Sequence, residues 1–505
     1  MTKKLVLLLS SAALFSGCNL APKYVQPVGA APERFPEGGA YPAARVDAPA
    51  DISQVGWRDF FTDPRLVAVI ETGLANNRDL RIAAANVLQA RAQYRVQRAG
   101  LLPTVAVSGS ATYTNSITGA AGGTGVGTGT GAGTGAGTGA GVGTGTGLGA
   151  GGGAGVTSGS SSTDVSIYSA NVGFSSFELD LFGRLRNLSR AAQEQYLASE
   201  EAARTARISL IAEIATAWAT MASDREQLRI AQNTLKTFQE TLDLTRAQFR
   251  IGVASELESR QAETNYEGAR NDLAALSAQI AQDQNALNLL VGTTVPAEQL
   301  PGPLGAEDVT RDALPGDLSS AVLLKRPDVL QAEHQLRAEN ANIGAARAAF
   351  FPQISLTGTL GTLGLALGDL FRSGSYTYSA SPAVSLPIFD GGRNRGNLDY
   401  ARASQKVAVA TYERAVQTAF REVADALAQR GTIVDQIDAQ SRRAEAARIA
   451  ARLSEARYRA GVDSFLTSLD AQRTAYAAQQ QLATTRLTRI SNLVELYRAL
   501  GGGLQ

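Results

Sequence analysis

The 505-residue chain has one cysteine, Cys18, and one histidine, His334. A lone cysteine forms no intrachain disulfide and is a poor start for a thiolate metal site. A single histidine removes most catalytic dyads and most zinc sites from consideration. No later stretch reaches the roughly 18 consecutive apolar residues a membrane-spanning helix needs. Neither sign of charge dominates: 47 Lys and Arg face 46 Asp and Glu. Neither nucleic acid nor an anionic membrane surface is therefore implied as a partner. Between Arg98 and Asp164 there is no charged residue at all, and inside that gap lies GTGTGAGTGAGTGAGVGTGTGLGAGGGAG, Gly127 to Gly155. Such a run has little apolar surface to bury and a high entropic cost of ordering. It is either a linker between domains or an insertion in a loop.

The N-terminus speaks to compartment. Lys3 and Lys4 precede an apolar run from Leu5 to Phe15 and then SGC. This is the pattern of a secretory signal peptide, residues 1–17. LFSGC resembles a bacterial lipobox, which implies cleavage before Cys18 and a lipid on its sulfur. In that class Asn19 after the cysteine implies outer-membrane sorting rather than inner-membrane retention. Proline and small residues then dominate, so 18–56 reads as an extended, lipid-anchored tether.

The rest of the chain is written twice. NRDLRIAAANVLQARAQYRVQRAGLLP, ending at Pro103, matches RPDVLQAEHQLRAENANIGAARAAFFP, ending at Pro352, at an offset of 249. FRIGVASEL matches YRAGVDSFL, with Gly252 on Gly461 and Val253 on Val462, at an offset of 209. The first copy therefore holds about 40 extra residues, and Gly119 to Ser160 supplies 42. The Gly run is an insertion within one repeat, not a linker. The repeats read as 57–292 and 316–501, joined by a linker at 293–315.

Each copy opens with a helical stretch; in the first, Leu66, Ile70, Leu74, Leu80, Ala84, Val87 and Leu88 recur at helical spacing. Asp63-Pro64 offers an N-cap followed by proline at the first helical position. Two period-2 segments follow in each copy, predicting strands at about 103–115, 165–181, 352–363 and 376–389. One face is apolar and the other Ser/Thr-rich, which suits a membrane β-barrel; Pro382 sits awkwardly in the last of them. Long helices come next, at 183–250 and 255–291, then 397–460 and 464–500. Leu273, Leu276, Ile280, Leu287 and Leu290 form a heptad seam, and the second copy returns with Leu487, Ile490, Leu493 and Tyr497 at helical spacing. The fold class is mainly α with a membrane β part. Four strands cannot close a barrel, and an open edge in lipid is prohibitive. The chain must share its barrel. Two copies give eight strands with a lumen filled by side chains; three give twelve, which can leave a channel.

WRDFFTDPRL, FELDLFGRLRN, the RPDVLQAEHQL stretch, PIFDGG and ARYRAGVDSFLTSLDAQR together resemble the outer-membrane factor family, the TolC-like exit ducts of tripartite efflux pumps. The likeness is to the lipoprotein branch serving resistance-nodulation-division pumps, and it spans Trp57 to Gly501. It implies a homotrimer with a 12-stranded barrel in outer-membrane lipid and a 12-helix periplasmic tunnel. A periplasmic adaptor and an inner-membrane pump are the implied partners. No cofactor, metal or catalysis is implied. The Gly-rich insertion departs from the family and would lie in the first extracellular loop.

The resemblance also assigns a gate at the periplasmic tips. Leu466 would form an apolar constriction and Asp470 a ring of carboxylates, with Arg473 pairing to acids there and Arg457 and Tyr458 tying neighbouring hairpins together. From spacing alone Asp470 and Arg473 read as a solvated helix pair. Gly252, Val253, Gly461 and Val462 are the implied adaptor docking points; their plain reading is that both glycines make a turn. Trp57, Phe60 and Phe61 read as packing, and His334 as a surface residue. A type I protein-secretion duct and a structural coiled-coil lipoprotein are the alternatives. An enzyme has little to work with.

Overall fold

The computed structural model describes residues 19–41, 56–117, 162–305, 309–311 and 319–502. The signal peptide 1–17, Cys18 and the Gly-rich insertion 119–160 lie outside the described residues, as do parts of the tether and of the linker. The described chain forms two compact units, one helical and one a sheet.

The helical unit begins with a short turn of helix, α1 (Trp57–Phe60), then α2 (Pro64–Asn76) and α3 (Arg78–Ala99). Asp63 caps α2 by accepting from the Arg65 amide at 2.8 Å, with Pro64 at the first position. The single predicted stretch is thus two helices, broken at Asn77, whose side chain caps α3. The first long hairpin is α4 (Arg184–Arg250) and α5 (Glu256–Val291). After a 3-10 turn at Ser320–Lys325 come α6 (Pro327–Ala348) and a second hairpin, α7 (Arg393–Arg459) and α8 (Phe465–Ala499). At 1.5 Å per residue, each 67-residue helix is about 100 Å long. Helix α7 starts at Arg393 rather than 397, because the Asp390 carboxylate accepts from the Gly392 and Asn394 amides at 2.9 Å and caps the first turn earlier.

The main core forms where the short helices meet the long ones. Leu66, Val69 and Ile70 of α2 are buried with Ile214 and Trp218 of α4 and Leu287 and Val291 of α5. Phe60 stacks on Tyr497 of α8 at 4.4 Å. Trp57, Phe60 and Phe61 are therefore core residues, as their aromatic run suggests. His334 is not a surface residue. It is mostly buried, and its Nδ1 lies 2.7 Å from Glu194 Oε2, joining α6 to α4.

The sheet unit is four antiparallel strands in the order β1 (Val105–Ile117), β2 (Ser162–Leu179), β3 (Gln353–Gly364) and β4 (Tyr376–Ser385). Pairing puts Val107, Val172, Leu360 and Tyr378 in one cross-strand row on one face. The opposite face carries Ser108, Ser110, Ser169, Thr357, Thr359 and Ser379, with hydroxyl contacts at 2.8 Å (Ser110–Ser169) and 2.6 Å (Thr359–Ser379). Strict alternation fails once. A bulge between Phe174 and Phe177 places Ser176 at φ 52°, and it returns Phe177 and Leu179 to the apolar face. Strand β4 stops at Ser385 rather than 389, ahead of Pro387. It is an edge strand within the chain, which is where a residue such as Pro382 is tolerated.

Candidate functional site

The two hairpin tips, α4–α5 and α7–α8, are built alike. Gly252 and Gly461 adopt φ 78° and 72°, a region in which a Cβ would be strained. The next residues, Val253 and Val462, are 72% and 63% exposed. The return helices are capped by Ser255 and Ser464; Ser255 forms a full capping box with Glu258. Each tip thus presents a rigid turn with an exposed valine at its end.

The tips differ in how they are locked. Arg457 donates two hydrogen bonds to Asp463, at 2.7 and 2.8 Å, so it closes its own turn rather than reaching a neighbouring hairpin. Those bonds and the guanidinium charge hold the Asp463 carboxyl below the usual carboxylate range. The first tip has Gln248 and Ala254 at the corresponding positions and lacks this clamp. Tyr458 does tie two hairpins together, within one chain: its hydroxyl donates to Gln248 Oε1 at 2.7 Å. Burial, with the Glu258 charge second, raises its pKa. Beneath it Phe465 and Leu469 of α8 pack with Leu242 of α4 and Ala262 of α5. Further along, Tyr476 donates to Asp272 at 3.0 Å, and Gln472 to Thr241 at 3.4 Å.

Leu466 is 62% exposed, and Asp470 and Arg473 are also exposed. No ion pair joins Asp470 to Arg473 among the described residues, so the simple helix pair expected from spacing does not form. The three share a stripe of α8, one residue on from the buried stripe of Phe465 and Leu469. Asp463, Gln248 and Phe465 were not anticipated as site residues. Only Asp463 left a trace in the sequence, as an acid just across a glycine turn from an arginine.

Higher on the first hairpin, Asp224 of α4 faces Asp283 of α5. Gln227 holds one Asp224 oxygen at 3.2 Å and Gln279 one Asp283 oxygen at 2.9 Å, and the two carboxyl groups are hydrogen-bonded to each other. Burial, then the Asp283 charge, pushes Asp224 up to about 6 from an ordinary 3.8. The native state therefore binds more protons than the unfolded state between about pH 4 and 6, and stability falls as pH rises through that window. We expect the wild-type unfolding midpoint to drop across this range relative to that of Asp224→Asn, whose slope lacks this contribution. An unchanged slope would remove the pair from the pH response.

Long hairpins with a locked tip, exposed carboxylates beside it, and an unclosed sheet with one apolar and one hydroxyl face define one protomer of a membrane duct. The chain belongs to the outer membrane efflux protein family, whose model matches residues 69–293 and 318–502. The two matched segments fall one on each repeat. Among curated proteins, the antibiotic efflux pump outer membrane protein ArpC of Pseudomonas putida is 42% identical and covers 100% of this chain and 96% of its own length. The cation efflux system protein CusC of Escherichia coli O157:H7 is 37% identical over 98% of this chain and 97% of its own. Among solved structures, a crystal structure of CusC superposes with a TM-score of 0.80 at 36% identity, covering 96% of this chain and 100% of that one. The open state of the Neisseria gonorrhoeae MtrE outer membrane channel superposes at 0.78 and 36% identity, covering 97% and 99%.

Proposed function

We propose that the chain is the outer-membrane exit duct of a tripartite efflux pump, passively conducting small molecules handed over by an inner-membrane pump and a periplasmic adaptor. Cys18 carries the lipid anchor, Gly252–Val253 and Gly461–Val462 meet the adaptor, and Leu466, Asp470 and Arg473 line the resting constriction. The duct has no catalytic role. The observation that carries this reading is the unclosed sheet, in which β1 and β4 have free edges among the described residues; membrane-spanning strands must be closed into a barrel.

The assembly proposed is a homotrimer, and the internal duplication argues for it. Helix α6 of the second repeat packs between α4 and α7 and buries Val329, Leu336 and Ile343. Among the described residues its counterpart α3 packs along its length on α4 and has no buried residue; Ile82, Leu88 and Val96 remain exposed. The missing neighbour of α3 is the α7 of another copy. Likewise Phe182 stacks on Phe351 at 4.7 Å, while its repeat counterpart Phe389 is 92% exposed. Three copies give twelve strands and a lumen wide enough to conduct.

Single-channel conductance in a planar bilayer tests the reading. The wild type should show a small resting conductance, and Asp470→Ala and Arg473→Ala should raise it several-fold by loosening a ring of fixed charges. A sample confirmed as trimeric that forms no channel in any variant would return the structural-lipoprotein reading to first place.

A further inference from the structure

The residues after Cys18 do not hang free. Residues 19–35 run as an extended arm against the helical unit, and α6 supplies side chains that hold the arm's backbone. Arg347 donates to the Leu20 carbonyl at 3.0 Å and Asn340 to the Pro22 carbonyl at 2.8 Å. Gln405 of α7 orients Asn340 by donating to its Oδ1 at 2.9 Å. The Tyr24 hydroxyl donates to Glu333 at 3.0 Å, and the Arg337 guanidinium lies over its ring at 5.0 Å. Gly344 makes room for both the arm and Asn187 of α4: a Cβ there would come within 2.7 Å of Asn187 Nδ2 and 2.8 Å of Ala21 Cβ. The arm then crosses to α7, where Gln26 donates to the Tyr412 hydroxyl at 2.9 Å and Phe35 stacks on Phe420 at 4.9 Å. It also pairs with the chain entering α6, through Ser320 N to Glu33 O at 3.1 Å.

The duplication supplies an internal comparison. Glu333, Arg337, Asn340, Gly344 and Arg347 correspond to Ala84, Leu88, Arg91, Arg95 and Arg98 in the first repeat. Four of the five differ, and each difference removes a feature the arm uses: the carboxylate, the cation over the ring, the amide and the gap. Helices α3 and α6 share an ancestor pattern, but only α6 is shaped to receive an extended chain.

We propose that this face of α6 is a docking groove specialised for the chain's own N-terminal arm, and that the seated arm braces α6 against α7 behind Cys18. Anchoring and packing of the helical unit are then coupled: tension on the anchor is carried by α6 and α7 rather than by a slack tether. The inference does not depend on conduction.

Limited trypsin digestion of the full-length protein tests it, following the Lys23–Tyr24 bond by mass spectrometry. A docked arm is cut only when it leaves the groove. Asn340→Ala/Arg347→Ala should be cut at least about tenfold faster than wild type, the scale expected for losing hydrogen bonds that include a charged donor. Tyr24→Ala should behave likewise, and Arg98→Ala, the repeat counterpart of Arg347, should match wild type. The unfolding midpoint should fall in the same variants that release the arm. If the double variant fails to fold, Tyr24→Ala, which leaves α6 untouched, decides alone. Equal cutting rates in wild type and Tyr24→Ala, or faster cutting in Arg98→Ala, would overturn the groove.

Discussion

Arg326→Ala is expected to remove about 3–5 kcal/mol from the stability of the helical unit, the range found when one partner of a buried ion cluster is deleted. The Arg326 side chain is only 4% exposed. It donates to both oxygens of Asp328 at 3.0 and 2.7 Å, to Glu422 of α7 at 2.7 Å, and to the Ala499 carbonyl of α8 at 2.6 Å. One planar guanidinium therefore joins the start of α6 to both helices of the second hairpin. Truncation leaves the Asp328 carboxylate and the Ala499 carbonyl facing a hole, while Glu422 keeps Arg498 at 3.2 Å. Lysine should recover only part of the loss, since an ammonium cannot present the same fork. Trp57 and Trp218, the two tryptophans, are both buried in this unit and report its unfolding by fluorescence in a denaturant titration. A loss below about 1 kcal/mol, the value of an exposed pair, would mean the cluster is solvated in the assembled protein.

Gly173→Ala is expected to abolish assembly of the sheet into the membrane. A Cβ at Gly173 would lie 2.2 Å from the Gly358 carbonyl oxygen and 2.8 Å from Thr359 Cα, so β2 and β3 could not stay paired there. In water a local gap in the ladder is rehydrated; in lipid each unpaired backbone group costs several kcal/mol. Heat-modifiable oligomer should fall below about a tenth of the wild-type amount, as a cost of that size implies. Gly109→Ala is the matched control: its nearest neighbour would be Ser169 O at 3.7 Å, an ordinary contact, and assembly should be retained. Normal assembly of Gly173→Ala would show that the strands are not packed this closely in the barrel.

Much of the architecture is written in local pattern. Period-2 alternation marks the strands because each side chain needs only its own face, and the heptad seam of α5 marks a packed helix for the same reason. Ser176 escaped that reading, since a bulge re-phases the apolar face at a single residue and leaves no composition signal. At the tips, Gly252 and Gly461 were legible because a left-handed turn needs glycine. The partner of Tyr458 was not: Gln248 lies 210 positions away and has no special character of its own.

The sequence by itself determined the helices and strands, and it pointed to the duplication, to an insertion within one repeat and to more than one copy. These follow from periodicity, and from the rule that a four-stranded sheet cannot close. Only the tertiary structure decided which repeat holds the arm, that Arg457 closes its own turn, and that Arg326 gathers three helices. Those depend on side chains far apart in the chain meeting at a few ångströms, and local pattern carries no record of such distances.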